Sequence, residues 1–324
     1  MMRVKVGIIG GAGYTAGELL RILINHPQVD ILFVQSTSNA GNPVTQVHDD
    51  LLGDTDLFFT DSIPFDQVDV IFLCMGHGKS KEFMEKYNLP AHLKVVDLSH
   101  DFRIEREGNA FIYGLPELNR EHIKTAGKIA NPGCFATGIQ LALLPLAKNN
   151  LLVNEVHVQA ITGSTGAGQK PTGTSHFSWR NNNLSAYKMF QHQHEKEILQ
   201  SLRQLQSGFS EGFNFIPIRG NHPRGIFVSA YTQYSGSVGE AMTLYREYYQ
   251  GHPFVIVSEN NPALKQVVNT NKAILYLEKH RDKLFILSLT DNLIKGASGQ
   301  AVQNMNLMFG LAETSGLKLK PVAF

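Results

Sequence analysis

The first 25 residues contain the feature that most constrains the fold, a short apolar strand that turns through glycines into an amphipathic helix. The strand is the apolar run 4–9, and leucine and isoleucine recur at helical spacing between Thr15 and Asn25. Gly10, Gly11 and Gly13 lie where the chain must turn sharply, and glycine permits the positive φ and the close approach of a pyrophosphate. Amides at the helix N-terminus add hydrogen-bond donors and a partial positive charge. This segment predicts a dinucleotide-binding unit.

Further apolar runs continue this pattern through the first half of the chain. Residues 31–35, 69–74 and 94–98 are nearly all apolar, as buried parallel strands are, and helical segments separate them. Such alternation is typical of an open, doubly wound parallel sheet. From about residue 150 several strands follow one another without helices between them, which favours a more antiparallel sheet.

These patterns predict a two-domain α/β chain of 324 residues. The first domain, residues 1–147, is a Rossmann-type domain with a doubly wound parallel sheet that binds the nucleotide. The second, residues 148–298, is an α+β domain with a mostly antiparallel sheet. We expect the C-terminal helix, within about 299–324, to pack back on the first domain.

The charge balance and the cysteine content narrow the class of protein. The chain has 29 basic and 28 acidic residues, which argues against nucleic acid or a membrane surface as a partner and favours a small molecule. No apolar run approaches the ~20 residues of a membrane-spanning helix. The only cysteines, Cys74 and Cys134, form no CxxC pattern and are too few for a disulfide framework. We therefore expect free thiols in the cytoplasm.

The end of the second strand indicates which nucleotide is bound. An NAD site places Asp or Glu there to hold the ribose hydroxyls, about 20 residues after the glycines. This chain has Ser36, Thr37 and Ser38 instead. Hydroxyls accommodate a 2′-phosphate that a carboxylate would repel, so the sequence favours NADP. The alternative is that these residues only cap a loop.

Cys134 is the candidate nucleophile, because Asn131-Pro132-Gly133-Cys134 follows a short strand and immediately precedes an apolar helix. A thiol at a helix N-terminus has a lowered pKa, and the free backbone amides there can hold an oxyanion. The alternative is a small buried hydrophobic residue, which is our interpretation of Cys74.

His192, His194 and Glu197 precede or begin another helical stretch and are candidates for proton transfer. A histidine there could take the thiol proton and later return one. The two histidines are two residues apart, so they face different directions on a regular helix. Glu197 either orients an imidazole or supports the helix dipole. Because no third ligand stands at diagnostic spacing, the sequence predicts no metal site.

Taken together, the motifs resemble the N-acetyl-gamma-glutamyl-phosphate reductase family. The resemblance runs from residue 7 to about 310 and rests on the following segments, of which the second and the last are the most specific: Gly10–Gly17, Asn131–Cys134, His192–Ile198, Arg224–Ile226 and Asp291–Asn306. This family is similar to aspartate-semialdehyde dehydrogenase in fold and chemistry. The resemblance implies NADPH-dependent reduction of an N-acyl-glutamyl 5-phosphate to the N-acyl-glutamate 5-semialdehyde and phosphate, through a thioester on Cys134, in the third step of arginine biosynthesis.

The resemblance also implies roles for individual residues. His194 is favoured over His192 as the acid/base, and the second domain is implied to carry catalysis and to form a homo-oligomer, a dimer or tetramer. The residues implied to bind NADP are Gly10, Gly11, Gly13, Tyr14, Thr15, Ser36, Ser38, Gly76, Ser164, Gly166 and Asn292. Those implied to bind the substrate are Asn131, Arg103 and Arg224, since the planar fork of arginine pairs with oxyanions.

Some positions depart from the pattern of the family. Arg180, Arg219 and His222 make two segments more basic than expected, and we hypothesise that one of them meets an extra negative charge, for example a succinyl group in place of acetyl. Three other functions remain open on sequence: reduction of an N-acyl-aminoadipyl phosphate in lysine biosynthesis, a cysteine–histidine acyltransferase or hydrolase, and a non-catalytic NADP sensor.

Overall fold

The computed structural model describes residues 3–76, 78–210 and 212–322. Within these residues the chain forms two compact units, each built on one seven-stranded sheet. The first unit consists of the residues up to Pro132 together with Ala297–Lys318, and the second of Gly133–Gly296 together with the residues from Leu319.

The regular elements are numbered along the whole chain. The strands are β1 (Val4–Ile9), β2 (Val29–Gln35), β3 (Phe59–Thr60), β4 (Val70–Leu73), β5 (Lys94–Asp97), β6 (Ile112–Tyr113), β7 (Lys128–Ala130), β8 (Val156–Thr162), β9 (Ser185–Ala186), β10 (Phe213–Arg219), β11 (Ile226–Gln233), β12 (Val255–Ser258), β13 (Ala273–His280) and β14 (Lys283–Thr290). The helices are α1 (Tyr14–Leu23), α2 (Lys79–Lys86), α3 (Pro116–Thr125), α4 (Cys134–Lys148), α5 (Phe177–Arg180), α6 (His194–Leu205), α7 (Val238–Tyr249) and α8 (Gly299–Met308).

The first unit has a parallel sheet in the order β3-β2-β1-β4-β5-β7-β6, which confirms the predicted doubly wound fold. The strand order reverses between β1 and β4, and ligands of such sheets bind beyond the carboxyl ends of the strands at that reversal. α1 buries Leu19, Leu20 and Leu23 on one face, as their helical spacing indicates. α8 contacts α1, α3 and β5 of the same unit although it lies far away in sequence.

The second unit has a mixed sheet in the order β12-β13-β14-β11-β8-β10-β9. β8 is parallel to β10, β12 is parallel to β13, and the other neighbours are antiparallel, so the mostly antiparallel sheet is confirmed. β8, β10 and β14 therefore end at the same edge of the sheet, where β11 begins. The loops that follow these strands meet at this edge.

Helix α4 belongs to the second unit, although the predicted boundary at residue 147 would place it in the first. Its residues 135–147 are all buried, because the helix is apolar on every side and packs on β11, β14 and α6. A helix of this kind must be surrounded by protein, and the second sheet supplies that environment. The division of the structure therefore falls between Pro132 and Gly133.

Two tyrosines of α7 hydrogen-bond to carbonyls inside α4. Pro145 lies within α4 and has no amide hydrogen, so the carbonyl of Leu141 lacks its usual helical donor. The hydroxyl of Tyr249 donates to this carbonyl, and that of Tyr245 donates to the carbonyl of Ala142, both at 2.5 Å. None of the helices in the described residues has the length and hydropathy needed to cross a membrane.

Candidate active site

The predicted site residues are divided between the two units, and the nucleotide-binding turn lies in the first. Gly10 has a φ of +78°. Gly11 packs tightly against β2, so that a Cβ at this position would lie 2.3 Å from Cγ1 of Val34. At Gly13, by contrast, a Cβ would meet no heavy atom of the described residues within 4 Å beyond its immediate chain neighbours. The turn is therefore tight on the protein side and open above the N-terminus of α1, which is the arrangement that a pyrophosphate requires.

A cavity of about 610 Å³ adjoins this turn. Of the residues predicted to bind NADP, it is lined by Gly10, Gly13, Ser36, Ser38 and Gly76. Tyr14 and Thr15 form the first turn of α1, where Tyr14 is 38% exposed and the carbonyl of Thr15 accepts a hydrogen bond from Ser298.

The end of β2 lines the same cavity and has no carboxylate. Gln35 stands there, and its Oε1 accepts a hydrogen bond from the amide of Gly10 at 3.3 Å, which fixes the turn. The hydroxyls of Ser36 and Ser38 each accept a hydrogen bond from Nδ2 of Asn39 at 3.1 Å, so their own hydrogens can point to a ligand. Lys79 and Lys86 also line the cavity. This wall combines hydroxyls with cations.

Cys74 lies in the same cavity wall and is a poor nucleophile. Burial raises the pKa of its thiol to about 12. It therefore stays protonated at neutral pH, in line with its interpretation as a small apolar residue.

Cys134 lies in the second unit and is the first residue of α4, with Gly133 as the N-cap. Its side chain is partly exposed. A Cβ at Gly296 would lie 2.8 Å from Cβ of Cys134, so the loop after β14 packs directly on the cysteine. The thiol is thus at a helix N-terminus and at the edge of the sheet where the loops meet.

His194 and Glu197 come together beside the peptide that precedes Cys134. Oε2 of Glu197 accepts a hydrogen bond from the amide of Gly133 at 2.9 Å, and its Oε1 lies 3.9 Å from Nε2 of His194. A Cβ at Gly133 would lie 2.4 Å from the same Nε2, so the imidazole rests on Gly133. The carboxylate therefore orients both the imidazole and the start of α4.

His192 has a different position and a different chemistry. Its Nδ1 accepts a hydrogen bond from the amide of His194 at 3.2 Å, at the start of α6, and its ring packs edge-on against Phe135, Tyr187 and Phe215. Burial, and then the charge of Lys188, lower the pKa of His192 to about 4. It is a neutral acceptor at physiological pH.

Asn292 and Gly166 join the loops at the edge of the second sheet. Oδ1 of Asn292 accepts a hydrogen bond from the amide of Gly225 at 2.7 Å, and its Nδ2 donates to Oγ1 of Thr165 at 2.9 Å. The amide of Ser164 donates to the carbonyl of His222, and a Cβ at Gly166 would lie 3.3 Å from Oγ1 of Thr162. These contacts order the loops, while the predicted contacts of Ser164, Gly166 and Asn292 with NADP stay predictions.

Arg224 lies at this edge, and its charge is compensated within the protein. Its Nε and Nη2 donate to the two carboxylate oxygens of Asp291 at 3.1 and 3.2 Å. Asp291 is completely buried and also accepts hydrogen bonds from the amides of Leu293 and Ile294. The pair fixes the loop that carries Asn292. Substrate binding by Arg224 stays a prediction and has to compete with this carboxylate.

Arg103 and Asn131 lie in the first unit and contact each other. Nε of Arg103 donates to the carbonyl of Asn131 at 2.8 Å, and its Nη2 donates to that of Leu98. Nδ2 of Asn131 donates to the carbonyl of Ala297, and its Oδ1 accepts from Asn304 at 3.1 Å. Both side chains thus hold the segment that leads to Gly133, and their role in substrate binding stays a prediction.

Sequence analysis missed Tyr187, Asp291 and Gln35. Burial and, to a smaller extent, the charge of Cys134 raise the pKa of Tyr187, which lies close enough to feel the thiol although no local pattern marks it. Asp291 stands next to Asn292 directly after an apolar strand, and a carboxylate in that position is a recognisable signal. Within the described residues no group of three or more His, Cys, Asp or Glu side chains could hold a metal ion.

Two protein-family models match the chain in the same order as the two units. The model of the semialdehyde dehydrogenase NAD binding domain matches residues 5–126, and that of the semialdehyde dehydrogenase dimerisation domain matches residues 134–292. The chain is thus an oxidoreductase with a nicotinamide-dinucleotide-binding domain and a dimerisation domain.

Solved structures with the same fold include aspartate-semialdehyde dehydrogenases. That of Vibrio cholerae, enzyme II in complex with ASA, superposes with a TM-score of 0.74 at 15% identity, over 96% of this chain and 99% of that one. A Candida albicans aspartate-semialdehyde dehydrogenase with NADP superposes with a TM-score of 0.71 at 15% identity, over 95% of this chain and 98% of that one. At these identities the likeness establishes the fold.

The most informative relatives are N-acetyl-gamma-glutamyl-phosphate reductases. Those of Bacteroides thetaiotaomicron and Phocaeicola vulgatus are each 60% identical over 99% of this chain and all of their own length. That of Christiangramia forsetii is 56% identical over 98% of both chains. With the fold, the helix-terminal cysteine and the glycine-lined cavity in place, the chain belongs to the N-acetyl-gamma-glutamyl-phosphate reductase family.

Proposed function

We propose that the chain reduces an N-acyl-glutamyl 5-phosphate to the N-acyl-glutamate 5-semialdehyde and phosphate, with NADPH as reductant and Cys134 as nucleophile. The observation that carries the proposal is the placement of Cys134 at the N-terminus of α4, with His194 and Glu197 against the preceding peptide. Under this proposal the reaction is the third step of arginine biosynthesis, in the cytoplasm, and the acyl group is acetyl or succinyl.

The covalent chemistry of the first half of the reaction uses Cys134, His194 and the N-terminus of α4, which all belong to the second unit. His194 takes the proton of the Cys134 thiol, and the sulfur attacks the acyl carbonyl. Backbone amides at the N-terminus of α4 stabilise the oxyanion. The C–O bond to phosphate then breaks, phosphate leaves with the electron pair, and a thioester on Cys134 remains.

The second half requires the nucleotide. NADPH, when bound, supplies the hydride that converts the thioester into a hemithioacetal. As the oxyanion of the hemithioacetal forms the carbonyl of the aldehyde, the C–S bond breaks, and His194 returns its proton to the departing sulfur, which restores the thiol. Glu197 lies beside the imidazole, with its Oε1 3.9 Å from Nε2 of His194, and holds the amide of Gly133.

His194 is the better candidate for proton transfer because His192 is occupied. Nδ1 of His192 accepts a hydrogen bond from a helix amide, and its low pKa makes it a weak base. The ring of His194 rests on the peptide next to Cys134. This supports the assignment of His194 as acid/base and of His192 as a positioning residue.

NADP is favoured over NAD by the chemistry at the end of β2. An NAD site needs a carboxylate for the ribose hydroxyls, and the wall here offers Gln35, Ser36, Thr37 and Ser38. A 2′-phosphate can accept hydrogen bonds from the serine hydroxyls and is attracted by nearby lysines such as Lys86. Gly10, Gly11 and Gly13 would hold the pyrophosphate, and Gly76 lies in the same wall.

The test is phosphate-dependent formation of NADPH by the purified protein with N-acyl-glutamate 5-semialdehydes, for wild type, Cys134→Ser and Cys134→Ala. We expect activity with NADP in wild type and a loss of at least about 1,000-fold in both variants, because removal of a nucleophile abolishes the covalent route. Arms with NAD in place of NADP test the cofactor.

NADPH binding, followed by the fluorescence of the nucleotide, serves as the control for folding of the variants and should not change. Full activity of Cys134→Ala would overturn the covalent mechanism. Absence of turnover with both the acetyl and the succinyl substrate would redirect the function to aminoadipyl substrates or to a non-reductase.

A further inference from the structure

Arg180 has a buried guanidinium that the protein itself leaves unsatisfied. It is the last residue of α5, and only 9% of its surface is exposed. Nε and Nη1 are both buried, and within the described part of the chain neither has a hydrogen-bond partner. A buried charge without partners is costly, so such an arrangement indicates a site that is completed by a ligand.

Arg219 adds a second positive charge to the same place. It is the last residue of β10, where it pairs with Ser185 of β9, and its guanidinium lies 3.9 Å from the centre of the Tyr187 ring. Burial first, and then the charge of Arg219, lower the pKa of Arg180. The two guanidinium groups therefore repel each other, and an anion between them would relieve this repulsion.

In the part of the chain that the structure describes, no acidic side chain neutralises the pair. Within the described residues neither Arg180 nor Arg219 forms an ion pair. His222 is also nearby, and burial and the charge of Arg180 lower its pKa, so it is neutral. Arg224, by contrast, has its carboxylate partner in Asp291. Of these three arginines, Arg180 and Arg219 are the ones whose charge is available to a ligand.

Tyr187 connects the pair with the reacting thiol. Arg219 stacks on its ring, and the charge of Cys134 acts on its hydroxyl. Tyr187 is therefore a neighbour of Arg219 on which the charge of the thiol also acts. The substrate offers two kinds of anion to the arginine pair: the phosphate on the carbon that Cys134 attacks, and a carboxylate elsewhere in the molecule.

We propose that Arg180 and Arg219 form a carboxylate-binding subsite for the acyl substrate and determine which N-acyl-glutamyl compounds the enzyme accepts. The planar forks of two arginines suit a carboxylate, which can accept two hydrogen bonds from each. The inference rests on the proposed function, because the carboxylate is that of its substrate. It comes either from the glutamyl α-carboxylate or from the free end of a dicarboxylic acyl group such as succinyl.

The experiment combines binding with turnover in Arg180→Met and Arg219→Met. Methionine removes the charge but keeps much of the length and the apolar contacts of the stem. Dissociation constants of N-acetylglutamate and N-succinylglutamate are measured by calorimetry, and KM and kcat are measured with the corresponding semialdehydes and with phosphate. Loss of a charge-assisted pair predicts a roughly 10- to 100-fold rise in the dissociation constant and in the KM of the carboxylate ligand, with KM for phosphate unchanged.

The two ligands distinguish the source of the carboxylate. An equal loss for the acetyl and succinyl compounds assigns the pair to the α-carboxylate, and a loss for the succinyl compound alone assigns it to the end of the acyl group; either result supports the subsite. Arg180→Lys should restore part of the binding. Arg246→Met, which removes the same charge from an exposed ion pair on α7, is the matched control and should bind as wild type.

Two results would overturn the subsite: unchanged binding of both N-acylglutamates in both variants, or a rise in KM for phosphate in place of the carboxylate ligand. Failure of the proposed function is a separate result. A wild-type protein that binds N-acylglutamates through Arg180 but does not reduce NADP would keep the subsite and exclude the reductase activity.

Discussion

His192 acts as a fixed acceptor at the start of α6, and this role depends on its staying neutral. Protonation of Nδ1 would remove the acceptor for the amide of His194 and would place a charge among Phe135, Tyr187 and Phe215. The fold therefore opposes protonation, and burial lowers the pKa of His192 from 6.5 to about 4. In an unfolded chain the same histidine titrates near 6.5.

Because of this difference in pKa, the stability of the folded protein should depend on pH. The variant His192→Asn should weaken that dependence on pH. Between pH 6.5 and 4 the unfolded chain binds the proton and the folded chain does not, so the free energy of unfolding falls as the pH falls through this window. The contribution of His192 is about 2–3 kcal/mol across it. Urea unfolding of wild type and variant at several pH values measures the difference.

Asparagine is the matched replacement because its Oδ1 can accept a hydrogen bond at a helix start and does not titrate. His26 and His222 also have lowered pKa values, but their contributions cancel when the variant is compared with wild type. Equal slopes of stability against pH in the two proteins would contradict the assignment.

At the residue scale, the sequence indicated those functional side chains whose role follows from their place at the start of a helix. Cys134 could be predicted because a helix N-terminus is visible in sequence, and His194 and Glu197 because they precede an apolar face. The contact of Glu197 with the amide of Gly133 spans 64 residues and could not be predicted. The same holds for Asp291 beside Arg224, since a compensating charge is set by tertiary packing.

At the element scale, α4 is a helix whose proline is compensated by its neighbour α7. Pro145 removes the donor for the carbonyl of Leu141, and the hydroxyl of Tyr249 supplies it. In a regular helix the carbonyl of Ala142 also accepts from the amide of Leu146, so the hydroxyl of Tyr245 is expected to be its second donor. Removing the hydroxyl of Tyr249 would thus leave the carbonyl of Leu141 without a donor, whereas removing the hydroxyl of Tyr245 would leave the carbonyl of Ala142 with its helical donor.

Tyr249→Phe should therefore destabilise the protein more than Tyr245→Phe does. The first leaves a buried carbonyl without a donor, at a cost of about 1–3 kcal/mol, whereas the second removes a redundant bond. In a Pro145→Ala background the amide of residue 145 becomes available, and the extra cost of Tyr249→Phe should vanish. Thermal unfolding of the single and double variants measures the coupling. Equal costs for the two tyrosines in the wild-type background would contradict this explanation.

Most helices and strands could be predicted from the sequence, because the periodicity of hydrophobic residues and the glycines of turns are local properties of the chain. β1, β2, β4 and β5 occur within a few residues of their predicted bounds. The assignment of α4 to a unit was not predictable, since an apolar helix indicates burial but not the sheet that buries it. The short strands β3, β6 and β9 have two residues each and leave no periodic signal.

At the scale of the whole molecule, the match of residues 134–292 to a dimerisation domain predicts a homodimer. Phe177, Leu184 and Phe190 of this unit are more than half exposed, and burial of such side chains favours association. Light scattering should give twice the 35.9 kDa of one chain at micromolar concentration. A mass of one chain under these conditions would contradict the prediction.

The first unit is discontinuous in sequence, and this has a consequence for the order of events during synthesis. Gly133–Gly296 is one continuous stretch, whereas the first unit needs Ala297–Lys318, which includes the completely buried α8. A ribosome delivers β1–β7 before Gly133–Gly296 and α8 after that stretch. Because domains fold as units once their residues are available, the N-terminal unit is completed only after the continuous stretch Gly133–Gly296 has emerged. Nascent chains should therefore acquire their nucleotide only after Ala297–Lys318 has emerged from the ribosome.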